Sequence, residues 1–374
     1  MPRVLVVDDS ILMRRRIAGI LSDAGFTVET AADGAEALAR LPEFDPDVVT
    51  LDVTMPGMDG LTCLKRIMVE RPKPVVMVSA LTAEGADVTV EALRLGAVEA
   101  VQKPPGFGAI GRIAEELVDT VHAAASSRPR RVQGLRERLR LARSLIAGED
   151  FAAEPTTEPG SPSPAALVPP DAQTGLVLMG VSTGGPSTLE DILPALPADF
   201  PWPVLVAQHM PANFTGALAR RLDQICDLSV VEAALPTPLE PGTVCIARGG
   251  ADVQVVRRGG RLMAQPVPMA ENRNWHPNVD RMVESALRVV PAARLAGVLL
   301  TGMGNDGAAA MAELRRQGGR TIAESEESAV VFGMPAELIR RGGAEVILPS
   351  DRIAQHLVRW MREMSPAGFH GPKV

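Results

Sequence analysis

Short β-branched runs separated by stretches of helical periodicity recur along most of this 374-residue chain, and no other feature constrains its fold as strongly. VLVVDD, TVETA, DVVTLD, PVVMVSA and EAVQKP follow one another in the first 125 residues, with ILMRRRIAGILSDAG and GLTCLKRIMVE among the helical stretches between them. Strands joined through helices run parallel, because a parallel pair needs a crossover long enough to hold a helix. Residues 1–125 are therefore expected to form a doubly wound, five-stranded parallel α/β sheet. A second series starts near Leu176 with LVLMG, PVLVAQH, LSVVEAA, TVCIA, AGVLL, TIAES and EVILP, and predicts a larger parallel α/β domain over 173–367. VQVVRRGGRLMAQPV reads as an antiparallel hairpin turning at Gly259–Gly260, inserted into that domain. The intervening 126–172 is expected to be an arginine-rich helix (Arg128 to Arg143) and then a linker, EPTTEPGSPSPAALVPP, too polar and proline-rich to bury a core.

Composition removes several classes of function. A net charge of −7, with aromatics at 3% and no tyrosine, disfavours a nucleic-acid partner, and the arginine run reads as the solvated face of a connecting helix. Cys63, Cys226 and Cys245 form no CxxC pair, so neither a disulfide framework nor a zinc site fits and a reducing compartment does. MPRVLVVDDS lacks the apolar stretch of a signal peptide, and no run approaches the ~20 apolar residues of a membrane span. The expectation is a cytoplasmic protein without direct membrane insertion.

In open parallel sheets functional side chains collect at the carboxyl ends of strands. In the first domain those ends carry Asp8 and Asp9, Asp52, Ser79 and Lys103. Singly, each aspartate reads as a helix cap. Together they describe an acidic pocket for Mg²⁺, in which a central aspartate beside the metal and an ammonium accepts a phosphoryl group. VVDDS, LDVTMPGMDG, VSA and QKP make residues 1 to about 122 resemble a two-component receiver domain, with its flavodoxin-like fold. The resemblance implies phosphorylation of Asp52 by a histidine kinase. It also implies Mg²⁺ held by Asp9, Asp52 and the Thr54 carbonyl, with Asp8 acting through water, and Ser79 and Lys103 contacting the phosphoryl group. Ala100 stands where many receivers carry Phe or Tyr, a departure that bears on an aromatic switch rather than on phosphorylation.

The first strand of the second domain ends in GVSTGGP, a glycine-rich turn that either cradles a phosphate or exposes Ser182 as a nucleophile. The next strand ends in AQHM and places His209 at its carboxyl end, and adjacent parallel strands are about 4.8 Å apart. TGMGNDG after AGVLL supplies Asp306, either a helix cap or the carboxylate that orients the imidazole. Ser187 falls beyond Pro186, inside the following helix, and is set aside as a nucleophile. His276 follows no strand signal and is the weaker candidate base.

GVSTGGP, AQHMPANFT, PNVDRMVESAL, TGMGNDG and ESAVVFGMP, in this order, are similar to the catalytic domain of the chemotaxis methylesterases of the CheB family. The resemblance implies a Rossmann-like sheet with an inserted hairpin and a Ser182–His209–Asp306 triad. It places the Met303 amide in an oxyanion hole, with Thr183 close by. Its substrates would be γ-methyl esters of glutamate, and certain glutamines, on the cytoplasmic helices of a methyl-accepting chemoreceptor. Trp275 and His276 depart from the family pattern before the Pro-Asn-Val-Asp segment. The expected activity is a phosphorylation-activated serine hydrolase that needs no cofactor at the hydrolase site. The alternative is a response-regulator adaptor whose glycine turns form an anion nest without catalysis, which would bind nucleotide but leave Ser182 unlabelled by a fluorophosphonate.

Overall fold

The computed structural model describes residues 1–79, 83–103, 110–127 and 175–364. The stretch expected as arginine-rich helix and linker lies outside them, apart from Ser126 and Ser127. The first sheet contains β1 (Arg3–Val7), β2 (Thr27–Ala31), β3 (Val48–Asp52), β4 (Val75–Ser79) and β5 (Glu99–Gln102), all parallel, in the order β2-β1-β3-β4-β5. α1 (Ile11–Asp23), α2 (Gly34–Phe44), α3 (Gly60–Glu70), α4 (Ala83–Arg94) and α5 (Ile110–Ser126) follow the strands in turn. β3 and β4 are buried along their whole length, as strands covered on both faces must be. The helices are started by Ser10, Asp33 and Asp59, whose side chains accept from Met13, Glu36 and Thr62 amides. α1 and α3 thus take their caps from Ser10 and Asp59 rather than from Asp8, Asp9 or Asp52.

The second sheet contains β6 (Leu176–Val181), β7 (Val204–Gln208), β8 (Ser229–Ala233), β10 (Thr243–Ala247), β13 (Leu295–Leu299), β14 (Arg320–Glu324) and β15 (Val346–Leu348). Its order is β15-β14-β13-β6-β7-β10-β8, parallel throughout. The hairpin forms at Gly259–Gly260 from β11 (Asp252–Arg258) and β12 (Arg261–Val267), and a two-residue strand β9 (Thr237–Pro238), which no sequence pattern announces, pairs with β12. The helices are α6 (Gly185–Ile192), α7 (Ala212–Ile225), α8 (Val279–Val289), α9 (Ala308–Arg316), α10 (Met334–Arg340) and α11 (Ser350–Met364). None of the described helices is long and apolar enough to cross a membrane.

Each parallel sheet winds outward in both directions from an internal strand. The reversal falls between β1 and β3 in the first and between β6 and β13 in the second. At such a switch point the crossovers leave in opposite directions and open a crevice at the strands' carboxyl ends. The two candidate sites sit at these two crevices. The two sheets' layers also meet: α4 packs on α6 and α7, and Val330 from the loop after β14 joins the buried apolar cluster of Val98, Val101 and Leu117.

Candidate active site

At the first crevice the carboxylates of Asp8, Asp9 and Asp52 bring one oxygen each within 4.8 Å of the others. Asp8 and Asp52 are buried and Asp9 is exposed. Lys103 Nζ lies 2.6 Å from Asp52 Oδ2 and 3.0 Å from Asp8 Oδ2. One ammonium against three carboxylates leaves negative charge uncompensated, and an all-oxygen set with room for water suits a hard divalent cation. Burial pushes the Asp52 carboxyl above its ordinary range, and Lys103 offsets this only in part. Burial works against the Lys103 ammonium too, but Asp52 and Asp8 outweigh it and hold its pKa up. Ser79 is buried at the end of β4, its carbonyl accepting from the Lys103 amide at 2.8 Å. The Thr54 amide donates to Asp52 Oδ1 at 3.2 Å. Ala100 is buried opposite Met77 on β4.

At the second crevice three adjacent strands, β13, β6 and β7, end in TGMGND, STGG and HM. Val181 pairs with Gln208 in register, so Ser182 and His209 are the next residues on neighbouring strands, and the His209 amide donates to the Val181 carbonyl at 3.0 Å. His209 Nε2 is 2.8 Å from Asp306 Oδ2. A carboxylate only accepts, so the proton of the neutral ring sits on Nε2 and the lone pair on Nδ1. Nδ1 is buried and makes no hydrogen bond among the described residues. Ser182 is 7% exposed and Thr183 5%. The structure brings Ser182, His209 and Asp306 to one crevice, with the hydrogen bond formed between His209 and Asp306.

Asp306 has further partners. It does not cap its own helix, whose N-cap is Gly307. Its Oδ2 accepts from the Val279 amide at 2.7 Å, and its Oδ1 from the Asp280 amide at 3.0 Å and from Asn278 Nδ2 at 2.8 Å. These groups form the N-terminus of α8, where free amides and the helix dipole favour an anion. Asn278 also caps α8 through the Arg281 amide. Behind it, buried Asp252 accepts from the Asn278 amide, the Ala270 amide, His276 and Arg281. Burial raises the Asp252 carboxyl, but these donors outweigh it and hold its pKa below the ordinary range. His276 is committed to this scaffold: Nδ1 lies 2.7 Å from Asp252 and Nε2 3.1 Å from the Arg273 carbonyl.

Gln208 ties the two strand ends together. Its Nε2 donates to the Ser182 carbonyl at 3.0 Å and to the His209 carbonyl at 2.9 Å. The Thr301 hydroxyl donates to the Thr183 carbonyl at 2.8 Å and accepts from the Val331 amide, while the Thr301 carbonyl accepts from the Ser182 amide. Among the described residues the Thr183 and Met303 amides donate to no carbonyl or side chain. Asn278 was readable as a helix cap, since asparagine precedes the helical run VDRMVESAL, but its second bond to Asp306 crosses between turns far apart in sequence. Gln208 and Thr301 carry no sequence signal at all.

The first domain reaches this turn. The Gly184 amide donates to the Val98 carbonyl at 3.0 Å. The buried Glu99 carboxyl, which burial pushes up to about 7, faces the Thr183 side chain. Asp87 and Arg220 make a solvent-exposed pair at 2.9 Å at the edge of the contact.

Family models match both halves of the chain. One described as CheB methylesterase matches residues 177–357, and one described as response regulator receiver domain matches 4–114. Protein-glutamate methylesterase/protein-glutamine glutaminase 3 of Rhodospirillum rubrum is 55% identical over 96% of this chain and 96% of its own. Protein-glutamate methylesterase/protein-glutamine glutaminase 2 of Rhodopseudomonas palustris is 50% identical over 96% of this chain and 98% of its own. The crystal structure of the Thermotoga maritima CheB methylesterase catalytic domain is 37% identical and has a TM-score of 0.48, covering 50% of this chain and 98% of that one.

Proposed function

The chain belongs to the CheB methylesterase family, in which a response-regulator receiver precedes the esterase domain, and from that premise we propose that Ser182, His209 and Asp306 are its catalytic triad. It is a protein-glutamate methylesterase and protein-glutamine glutaminase acting on chemoreceptors in adaptation. The single observation that carries the site assignment is the 2.8 Å His209–Asp306 bond at the carboxyl end of the strand beside Ser182.

Ser182 Oγ attacks the γ-carbonyl of a receptor glutamyl methyl ester while His209 Nδ1 takes its proton. Asp306, held by four donors, keeps the ring in the tautomer with Nδ1 free and stabilises the imidazolium. The Met303 and Thr183 amides receive the oxyanion. Collapse expels methanol with the proton from Nδ1, and water attacks the acyl-enzyme by the same route to leave glutamate. With glutamine the leaving group is ammonia.

The receiver is phosphorylated on Asp52 by a histidine kinase. Asp8, Asp9, Asp52 and the Thr54 carbonyl would hold Mg²⁺, which when bound neutralises charge on the incoming phosphoryl group. Lys103 and Ser79 contact that group. Before phosphorylation Val98 and Glu99 occupy the Thr183–Gly184 turn, where a receptor helix must dock. A chemoreceptor substrate and a kinase donor place the chain in the cytoplasm.

The test is methanol release from a methylated receptor. Ser182→Ala is expected to lower turnover by about four to six orders of magnitude. Near-normal release would overturn the nucleophile assignment.

A further inference from the structure

Beside His209 lies an aromatic side chain that the reaction above does not use. The Trp275 indole stands nearly parallel to the imidazole, with 9° between the planes and 6.2 Å between centroids. Its Cη2–Cζ2 edge faces Gly304, where a Cβ would come within 2.7 Å of those atoms. Gly304 follows Met303 and precedes Asp306 by two residues, so one indole spans the imidazole and the turn that carries both the oxyanion amide and the triad carboxylate. The residue is partly exposed.

The segment that carries it is clamped on both sides. Arg273 pairs with Asp280 and Glu284, His276 bonds Asp252 and the Arg273 carbonyl, and Asn278 bonds Asp252 and Asp306. A side chain on so fixed a segment, its ring nearly parallel to an imidazole that becomes cationic in the transition state, has a physical use. An aromatic face attracts an imidazolium more than a neutral imidazole. A flat wall on one side of the imidazole also restricts its rotation, which keeps Nδ1 turned to the serine.

We infer that Trp275 is a positioning residue for the esterase reaction, acting through His209: its indole fixes the imidazole plane and favours the imidazolium that forms as Ser182 attacks. This rests on the triad proposed above. It separates Trp275 from a substrate-binding role, because an effect exerted through the base falls on kcat and leaves KM alone.

The experiment compares the full-length protein with Trp275→Phe and Trp275→Leu in methanol release from methylated receptor, with Ser182→Ala alongside and thermal melts on each. Leucine keeps apolar bulk against Gly304 but has no aromatic face, whereas phenylalanine keeps the face. Trp275→Leu is expected to lower kcat about tenfold with KM within about twofold, and Trp275→Phe to retain kcat within about threefold. Unchanged kcat in Trp275→Leu, an equal loss in both variants, or a rise in KM at constant kcat would each overturn the inference. A Trp275→Leu protein whose melt shows it unfolded, beside a folded and fully active Trp275→Phe, would also overturn it by reducing the indole to a packing group. Retained turnover in Ser182→Ala would instead remove the triad itself.

Discussion

Asp306 carries more of the site than any other single residue. Two helix amides, one asparagine amide and one imidazole converge on its two oxygens, so the carboxylate both orients the His209 imidazole and locks the start of α8 to the turn after β13. Asp306→Asn keeps the shape and exchanges an acceptor-only group for one that also presents N–H bonds. His209 Nε2 then faces a mixed partner, the tautomer with Nδ1 free loses its support, and kcat is expected to fall about 10⁴-fold with little change in KM. The α8 amides lose a charge-assisted acceptor, a kind of bond worth about 1.5–3 kcal/mol, so a lower melting temperature accompanies the lost turnover. A kcat within tenfold of wild type in steady-state methanol release would contradict this. The placement of Ser182, His209 and Asp306 at strand ends was legible in the sequence because each follows an apolar strand run, and strand ends are where such sheets gather functional side chains. The choice of Nε2 for the aspartate was not, because it depends on ring orientation. Nor was the scaffold role of His276, since a lone histidine is written the same way whether it is a base or a strut.

At the level of elements, the site depends on β6 and β7 ending at the same height. The Val181–Gln208 register sets this, and the Gln208 side chain enforces it by donating to both the Ser182 and His209 carbonyls. Space for that side chain exists because Gly185 has none: a Cβ there would lie 1.9 Å from Gln208 Oε1. The second glycine of STGG therefore serves the packing of the strand ends, a reading that a phosphate-cradle interpretation of the motif misses. Gln208→Leu preserves volume and removes both donors. The Ser182 carbonyl keeps its bond from the Gly185 amide, but the His209 carbonyl is left without this donor. An orphaned buried acceptor costs about 1–3 kcal/mol, and a domain of this size loses about 2–4 °C in Tm per kcal/mol. Differential scanning of Gln208→Leu should record a fall of a few degrees, together with reduced turnover; an unchanged Tm would show that the bridge contributes nothing. Strand existence and the Gly259–Gly260 hairpin were readable from periodicity and turn chemistry. The adjacency of β13 to β6 was not, because those two strands meet across all of the intervening β7 to β12, and β9 is too short to leave a pattern.

Across the whole molecule, the receiver meets the Ser182 turn through the Val98 carbonyl, the buried Glu99 carboxyl and the apolar contact of Val330. The exposed Asp87–Arg220 pair contributes little, as surface ion pairs do. Glu99 is different, because its carboxyl is shut in at the interface beside Thr183, accepts from the Ala100 amide, and feels repulsion from Glu116 of α5. Burial dominates and keeps Glu99 protonated up to about 7, against an ordinary value of 4.5 when the carboxyl faces water. In that window the docked state binds a proton that the released state does not. Raising the pH therefore favours release by up to about tenfold per unit, and above the docked-state value the effect levels off because both states are ionised. Glu99→Gln stays neutral at every pH and holds the receiver in place. The measurement is basal methanol release by the unphosphorylated full-length protein, taken as the ratio of wild type to Glu99→Gln so that pH effects common to both proteins cancel. That ratio should climb from about pH 5 to about pH 7 and then flatten, and it should be flat throughout once Asp52 is phosphorylated and the receiver has already moved. A ratio independent of pH in the unphosphorylated protein would mean that the Glu99 carboxyl is not what holds the receiver on the Ser182 turn, leaving Val98 and Val330 as the groups that do.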